Sequence, residues 1–397
     1  MEVLTLKGFR DIAPEEALKR GRVLSLLKSV FKSYGFVPLE TPTLEYAKIL
    51  EGKYGPEADK LTYKFKDRGG RMAALRYDLT IPLARYVTEN KGRITFPFKR
   101  YQIGNVFRAE KPQAGRYREF TQVDVDTVGV DSALADAEII AVLATCLQLL
   151  GIEKFEIRLN DRAVFQEIPV PAIRILDKMD KIGRAGVERE LAQAGFGKEI
   201  LPRSAGRKPT ARLKEIFLAL EYFGLDKKSF RFDPLLARGL DYYTGMIYEI
   251  VVPETSGSIS GGGRYNNLIG TFTGEGIPAV GGSFGLDRLA VAVPEKTFEN
   301  IPFQPQVLVT VFDSGLIQSS LTVYSLLQAQ GIEVEIYLDP NAKLDKQLKY
   351  ADRKGIPYAV ILGPQDLKDK KVILKDLGNR TQQRVTVEQL SNILSSR

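Results

Sequence analysis

The alternation of apolar runs from Val307 to Leu362 constrains this chain more than anything else in it. Val307–Phe312 reads as a strand, Leu316–Gln330 as a helix, Glu333–Leu338 as a strand, Lys343–Lys354 as a helix and Tyr358–Leu362 as a strand. Strands alternating with helices build a largely parallel sheet, because each crossover needs about a helix's length to return to the same end. Pro294, Pro302 and Pro305 precede the block and mark residues 294–305 as a linker, so the pattern implies an α/β domain of its own. A chain of 397 residues has room for about two or three domains.

The chain before the linker has another texture. Glu15–Tyr34 has helical spacing, with Leu18, Val23, Leu26, Leu27, Val30 and Phe31 on one face and Gly35 as its stop. Phe36–Pro42 is extended, and its two prolines make it an edge or interface strand. Phe98–Arg108 and Tyr117–Val128 alternate as strands around a polar connection, and Ser132–Leu150 is a helix closed by Gly151. A strand follows at Lys154–Leu159, and then charged, helix-periodic sequence from about 165 to 225 reads as a small helical insertion. Strands return at Gly239–Val252 and, after a glycine-rich turn, near Ala279–Phe284, with a short helix at Gly285–Val293.

Composition narrows the chemistry. The chain has one cysteine, Cys146, and no histidine, which excludes an internal disulfide framework, cysteine-cluster metal sites and histidine-based triads or acid–base pairs. Chemistry here rests on Asp, Glu, Arg, Lys, Tyr or a bound ion. No run approaches the ~20 apolar residues that span a bilayer, and the N-terminus has no basic leader pattern, so a cytoplasmic location away from membranes is expected. The net charge of +8 suits a polyanionic partner, as it does many plain enzymes.

Four constellations carry functional groups. Residues 91–118 hold Lys91, Arg93, Lys99, Arg100, Arg108, Lys111, Arg116 and Arg118 against the single acid Glu110, a pattern for triphosphate or nucleic-acid backbone or else a solvated charge run. Arg238-Gly239-Leu240-Asp241-Tyr242-Tyr243-Thr244-Gly245 offers a guanidinium, a carboxylate and two phenols; on a strand Arg238 and Tyr242 share a face, and plain aromatic packing at an edge is the alternative. Ser260-Gly261-Gly262-Gly263-Arg264-Tyr265 and Gly281-Gly282-Ser283-Phe284-Gly285-Leu286-Asp287-Arg288 are neither a P-loop nor a dinucleotide fingerprint; their glycines let backbone approach a ligand or a neighbouring strand, and Arg288 near a helix start suits phosphate. Asp78 and Thr80 bind an ammonium group or cap the helix that begins near Pro82.

Together these stretches resemble one family. Phe107-Arg108-Ala109-Glu110 is similar to motif 2 of class II aminoacyl-tRNA synthetases, Gly285-Leu286-Asp287-Arg288 to motif 3, and the helix leading to Glu40-Thr41-Pro42 to motif 1. Arg238–Tyr243 and Gly262–Tyr265 are similar to the two signatures of the histidyl-tRNA synthetase family, and the last ninety or so residues resemble its anticodon-binding domain. The resemblance implies an α+β catalytic domain, a six-stranded antiparallel class II synthetase sheet with flanking helices, over 1–165 and 226–300. It also implies a helical insertion at 166–225, a C-terminal α/β anticodon-binding domain at 304–397, and a homodimer.

The implied reaction joins L-histidine to ATP as histidyl-adenylate and passes the histidyl group to the 3′ end of tRNA(His), with Mg2+ entering as the ATP complex. Its implied site residues are Arg108 and Arg238 for catalysis, with Glu110, Phe120 and Arg288 also on ATP. Asp78, Leu79, Thr80, Gln122, Asp126, Tyr242 and Tyr243 take histidine, and Lys111, Gln113 and Arg116 the tRNA acceptor end. The rival is a catalytically inactive paralogue such as the regulatory subunit of ATP phosphoribosyltransferase, which usually lacks an anticodon-binding domain and degrades residues of the Arg238 type. A non-catalytic RNA-binding module explains the basic hairpin but not the Asp78, Asp126 and Tyr243 set.

Overall fold

The structure is a computed structural model and describes residues 3–52, 59–111, 117–197, 199–238, 242–255, 257–299 and 303–395. Contacts divide the chain into two compact units, Met1–Glu299 and Asn300–Arg397.

The larger unit is organised by one mixed sheet. Its strands in chain order are β1 (Val37–Pro38), β5 (Phe98–Phe107), β6 (Glu119–Val128), β7 (Glu156–Asp161), β8 (Phe230–Phe232), β9 (Met246–Val251), β10 (Ser258–Arg264) and β11 (Ala279–Gly285). They lie side by side as β1-β5-β6-β11-β10-β9-β7-β8. The six inner strands are antiparallel, as the family resemblance implies, but β1 and β8 add a parallel strand at each edge, so the sheet has eight strands rather than six. Pro38 donates no ladder hydrogen bond, which suits the outermost position of β1. A second, three-stranded sheet pairs β4 (Met72–Leu75) with β2 (Leu44–Tyr46) and β3 (Lys64–Lys66).

Helices cover the main sheet. Pro14–Ser33 buries Val23, Leu27, Val30 and Phe31, whereas Leu18, expected on that face, is 39 % exposed one turn too early to reach the core. Ala133–Leu149 is apolar nearly all round and buried accordingly, and Ser132 caps it by accepting from the Ala135 N–H at 3.1 Å. Between β7 and β8 run the helices Val170–Leu176, Met179–Gln193, Ile200–Ala205 and Ala211–Tyr222; the first three close over their own apolar cluster, including Phe165, Ile173, Leu176, Val187, Leu191 and Leu201.

Two sequence expectations are corrected in this unit. Ser260–Gly263 is not a turn but the middle of β10, hydrogen-bonded on both sides. Its glycines permit close approach: a Cβ on Gly262 would come within 2.7 Å of the Gly282 Cα. The strand expected from Gly239 begins only at Met246; Tyr242 and Tyr243 precede it in a turn, so strand alternation does not decide where Arg238 and the two tyrosines point.

The smaller unit has one five-stranded sheet, in which Val334–Ile336, Val307–Val309, Tyr358–Ile361, Val372–Asp376 and Thr381–Val385 lie side by side in that order. β12 (Val307–Val309), β13 (Val334–Ile336) and β14 (Tyr358–Ile361) are parallel, linked by helices Ile317–Ala329 and Leu344–Lys354. β15 (Val372–Asp376) and β16 (Thr381–Val385) add an antiparallel hairpin beyond Leu362, turned where Asp376 Oδ1 accepts from the Asn379 N–H at 2.9 Å. No described helix is long and apolar enough to cross a membrane.

Candidate active site

Strand β6 sets the geometry. Alternation along Phe120, Gln122, Asp124 and Asp126 puts all four on one face, where they border a cavity of about 480 Å³.

Asp126 is the most constrained of them. Register opposes it to Arg100 on β5 and to Gly281 on β11. Arg100 Nη2 lies 2.7 Å from Asp126 Oδ2 with both side chains enclosed, and the same nitrogen donates to the Leu79 carbonyl at 3.3 Å. The Tyr265 hydroxyl donates to Asp126 Oδ1. On the other side, a Cβ at Gly281 would overlap the carboxylate, so glycine makes the space in which Asp126 stands. Burial raises the Asp126 carboxyl above its ordinary range, and Arg100 and Tyr265 oppose that shift.

Asp124 belongs to the same face and was missed from sequence. Gln122 Nε2 and the Ser283 hydroxyl both donate to its Oδ1, the first at 3.2 Å. Burial pushes this carboxyl up to about 7, with Arg100 pulling down and Asp126 pushing further up. Parity alone was the available signal: whatever puts Gln122 and Asp126 on the cavity puts Asp124 there too. Gln122 also donates to Ser283 Oγ at 2.9 Å and accepts from Arg108 Nη2 at 3.4 Å, so its amide is held from two sides.

The remaining walls come from other segments. Asp78 and Thr80 border the cavity, and Asp78 Oδ1 caps helix Thr80–Asn90 by accepting from the N–H groups of Thr80 and Ile81 at 3.0 and 3.1 Å. Leu79 is fully buried and does not border the cavity, which sets it apart from the other residues implied for histidine. Tyr242 and Tyr243 do border it, with ring centroids 4.3 Å apart and a 3.0 Å hydrogen bond between hydroxyls. Burial pushes the Tyr243 phenol up to about 12, so it stays a neutral hydroxyl.

Three arginines point at the same space. The Arg108 guanidinium sits 4.4 Å from the Tyr77 ring centroid and 5.1 Å from that of Phe120, and its Nε donates to the Tyr77 carbonyl at 3.2 Å. Arg238 donates to Ser258 Oγ at 2.9 Å and pairs with Glu249 of β9, while Arg288 donates to the Ser258 carbonyl at 3.1 Å. Glu110 and Asp287 complete this end; Asp287 is gripped by Arg10 at 2.7 Å and Arg20 at 2.6 Å. Lys111 is exposed, and Gln113, Arg116 and Asp241 lie outside the described residues. Among the described residues no group of three or more carboxylate or thiol side chains is arranged to hold a metal ion.

The cavity thus gathers carboxyls, an amide, phenols and three guanidiniums around one space. The histidyl-tRNA synthetase family model matches residues 8–182 and 189–289, and the anticodon binding domain model matches 306–397. The histidine–tRNA ligase of Rhodopirellula baltica is 40 % identical over 419 aligned positions, covering 96 % of this chain and 95 % of that protein. That of Aeropyrum pernix is 41 % identical, covering 91 % and 90 %. The crystal structure of histidyl-tRNA synthetase from Nostoc sp. PCC 7120 superposes with a TM-score of 0.84 at 31 % identity, covering the whole of both chains. With two family models spanning both units and relatives of this identity along nearly its full length, the chain belongs to the histidyl-tRNA synthetase family.

Proposed function

We propose that this chain activates L-histidine with ATP, releasing pyrophosphate, and transfers the histidyl group from the adenylate to the 3′ end of tRNA(His). One observation carries the reading at the level of the site: Asp78, Thr80, Gln122, Asp126, Tyr242 and Tyr243 share one cavity with Arg108, Arg238 and Arg288. The regulatory-subunit alternative is disfavoured by the intact Arg238 and by the match over 306–397.

In this reading the histidine carboxylate attacks the α-phosphorus in line, and catalysis is positioning and charge stabilisation, for which no histidine side chain is needed. Arg108, stacked between Tyr77 and Phe120, bridges the attacking carboxylate and the α-phosphate, and Arg238 reaches that phosphate from the opposite side. Arg288 holds the γ-phosphate end and one face of adenine, with Phe120 on the other face and Glu110 at the adenine edge. Asp78, Thr80 and Gln122 take the ammonium group, and Asp126 and Tyr243 the two ring nitrogens. Such a pocket rejects side chains that cannot satisfy its polar groups by roughly 10⁴–10⁵. Mg2+, entering as the ATP complex, would supply positive charge to the phosphates alongside Arg108, Arg238 and Arg288.

Residues 1–165 and 226–300 serve as the catalytic domain, 166–225 as the insertion and 304–397 as the anticodon-binding domain, in a cytoplasmic homodimer. Exposed Leu44, Tyr46 and Phe65, which register puts on one face of the three-stranded sheet, support self-association. The test is histidine-dependent ATP–pyrophosphate exchange followed by charging of tRNA(His). An absence of exchange with the folded chain removes the reading.

A further inference from the structure

A buried ion network stands behind the histidine pocket, and none of the roles assigned above uses it. Arg264 of β10 is almost wholly enclosed, with its Nε 2.8 Å and its Nη2 2.6 Å from Asp136 Oδ1. Its Nη1 donates to the Val130 carbonyl and to Asn266 Oδ1, both at 3.1 Å. Asp136 is itself fully buried on helix Ala133–Leu149, and its second oxygen accepts from Arg212 Nε at 2.7 Å. Arg212 stands on helix Ala211–Tyr222, in the segment between β7 and β8, and Arg212 Nη2 pairs with Asp131 at 2.7 Å. One carboxylate thus joins two guanidiniums from different layers.

The inner end of this network meets the pocket through backbone. The Arg264 carbonyl accepts from the Thr244 N–H at 2.7 Å, immediately after Tyr243, and Thr244 Oγ1 accepts from the Asn266 N–H at 3.0 Å. The Arg264 stem runs along Gly245, where a Cβ would come within 3.3 Å of Arg264 Cδ. The next residue, Tyr265, holds Asp126 and meets the Tyr242 ring edge-on at 6.2 Å. A shift of Arg264 therefore moves the turn carrying Tyr242 and Tyr243 together with the hydroxyl that orients Asp126. The ATP-facing arginines Arg108, Arg238 and Arg288 hang from other side-chain and carbonyl contacts, Arg238 from Ser258 and Glu249.

We propose that Arg212 is a positioning residue for histidine recognition, acting through Asp136 and Arg264 on Tyr243 and Tyr265. The inference rests on the pocket assignment made above. A buried carboxylate shared by two arginines has one preferred geometry, and removal of the outer arginine releases the inner one to reorient. The helices outside the sheet thereby gain a hold on the amino-acid site and not on the nucleotide site.

The test is pyrophosphate exchange with Arg212→Met, Arg212→Lys and the unmodified chain, varying histidine and ATP separately and recording thermal midpoints. Arg212→Met is expected to raise KM for histidine by about two- to thirtyfold, the range found for mutations along coupled networks, with KM for ATP unchanged. Arg212→Lys should recover part of that loss, because it restores the charge without the guanidinium fork. Unchanged KM for histidine, or parallel rises in both constants, would overturn the proposal by showing that the network only supports the fold. Absence of exchange in the unmodified chain would instead remove the functional reading itself.

Discussion

Arg100 and Asp126 face each other across β5 and β6 at 2.7 Å, with side-chain exposures of 0 % and 4 %. Removing one partner of a buried pair leaves the other charge stranded, at a typical cost of about 3–5 kcal/mol. Arg100→Met should therefore lower unfolding stability by about that amount in urea titration, and adding Asp126→Asn should return part of it. A loss below about 1 kcal/mol, the worth of an exposed pair, would mean that water reaches the pair.

Arg238 tests the chemistry most directly. Loss of one preorganised charge donor typically costs about 10²–10³ in rate, and Arg238→Ala should cut adenylation at least a hundredfold. Arg238 is 47 % exposed, but its partner Glu249 is only 6 % exposed, so the single variant also strands a carboxylate and should lower the thermal midpoint. Arg238→Ala with Glu249→Gln should restore the midpoint and leave the activity lost. Lys at 238 should recover little, since an ammonium has no bidentate fork. Near-normal exchange in either variant would refute the assigned role.

Asp124 predicts a pH dependence of stability. Burial, its largest cause, pushes this carboxyl up to about 7, from an ordinary value of 3.8. The folded state then holds a proton that the unfolded chain has released, so the contribution is fully present below about pH 4 and is lost as pH rises through 7. Asp124→Asn removes this loss. The midpoint of the variant relative to the unmodified chain should climb between pH 5 and pH 8, whereas a constant offset would show that Asp124 is ionised throughout.

The proposed acceptor-end role predicts that Gln113→Ala slows transfer to tRNA and leaves pyrophosphate exchange nearly intact, since phosphate contacts by Lys111 and Arg116 would position the strand while a side chain reading a base edge would specify it. Equal losses in both half-reactions would assign the loop to ATP instead.

The sequence revealed elements whose periodicity is strong and hid those whose meaning depends on a neighbour. The hairpin β5–β6, helix Ala133–Leu149 and the alternation after Val307 are all legible because each repeats its pattern over many residues. Gly261–Gly263 signal the approach of a neighbouring backbone, but nothing local shows that they lie within a strand themselves, because the partner β11 stands about twenty residues further along the chain. Arg100 looks like one more cation in a basic run until register sets it opposite Asp126. Glu249 carries no local mark of its tie to Arg238, and the β15–β16 hairpin leaves little trace in the sequence because its second strand is almost entirely polar.

A ten-residue strand that presents Gln122, Asp124 and Asp126 on one side behaves as a graduated rod. Its marks stand about 7 Å apart, because each residue adds roughly 3.4 Å and only every second one faces inward. Val123 and Val125 occupy the reverse side, fully buried. Sliding the rod by one residue would turn every mark away and bring two valines to the cavity, a change more drastic than any single replacement. Selectivity can then be re-marked one position at a time, but only while the antiparallel neighbours β5 and β11 keep the rod from slipping.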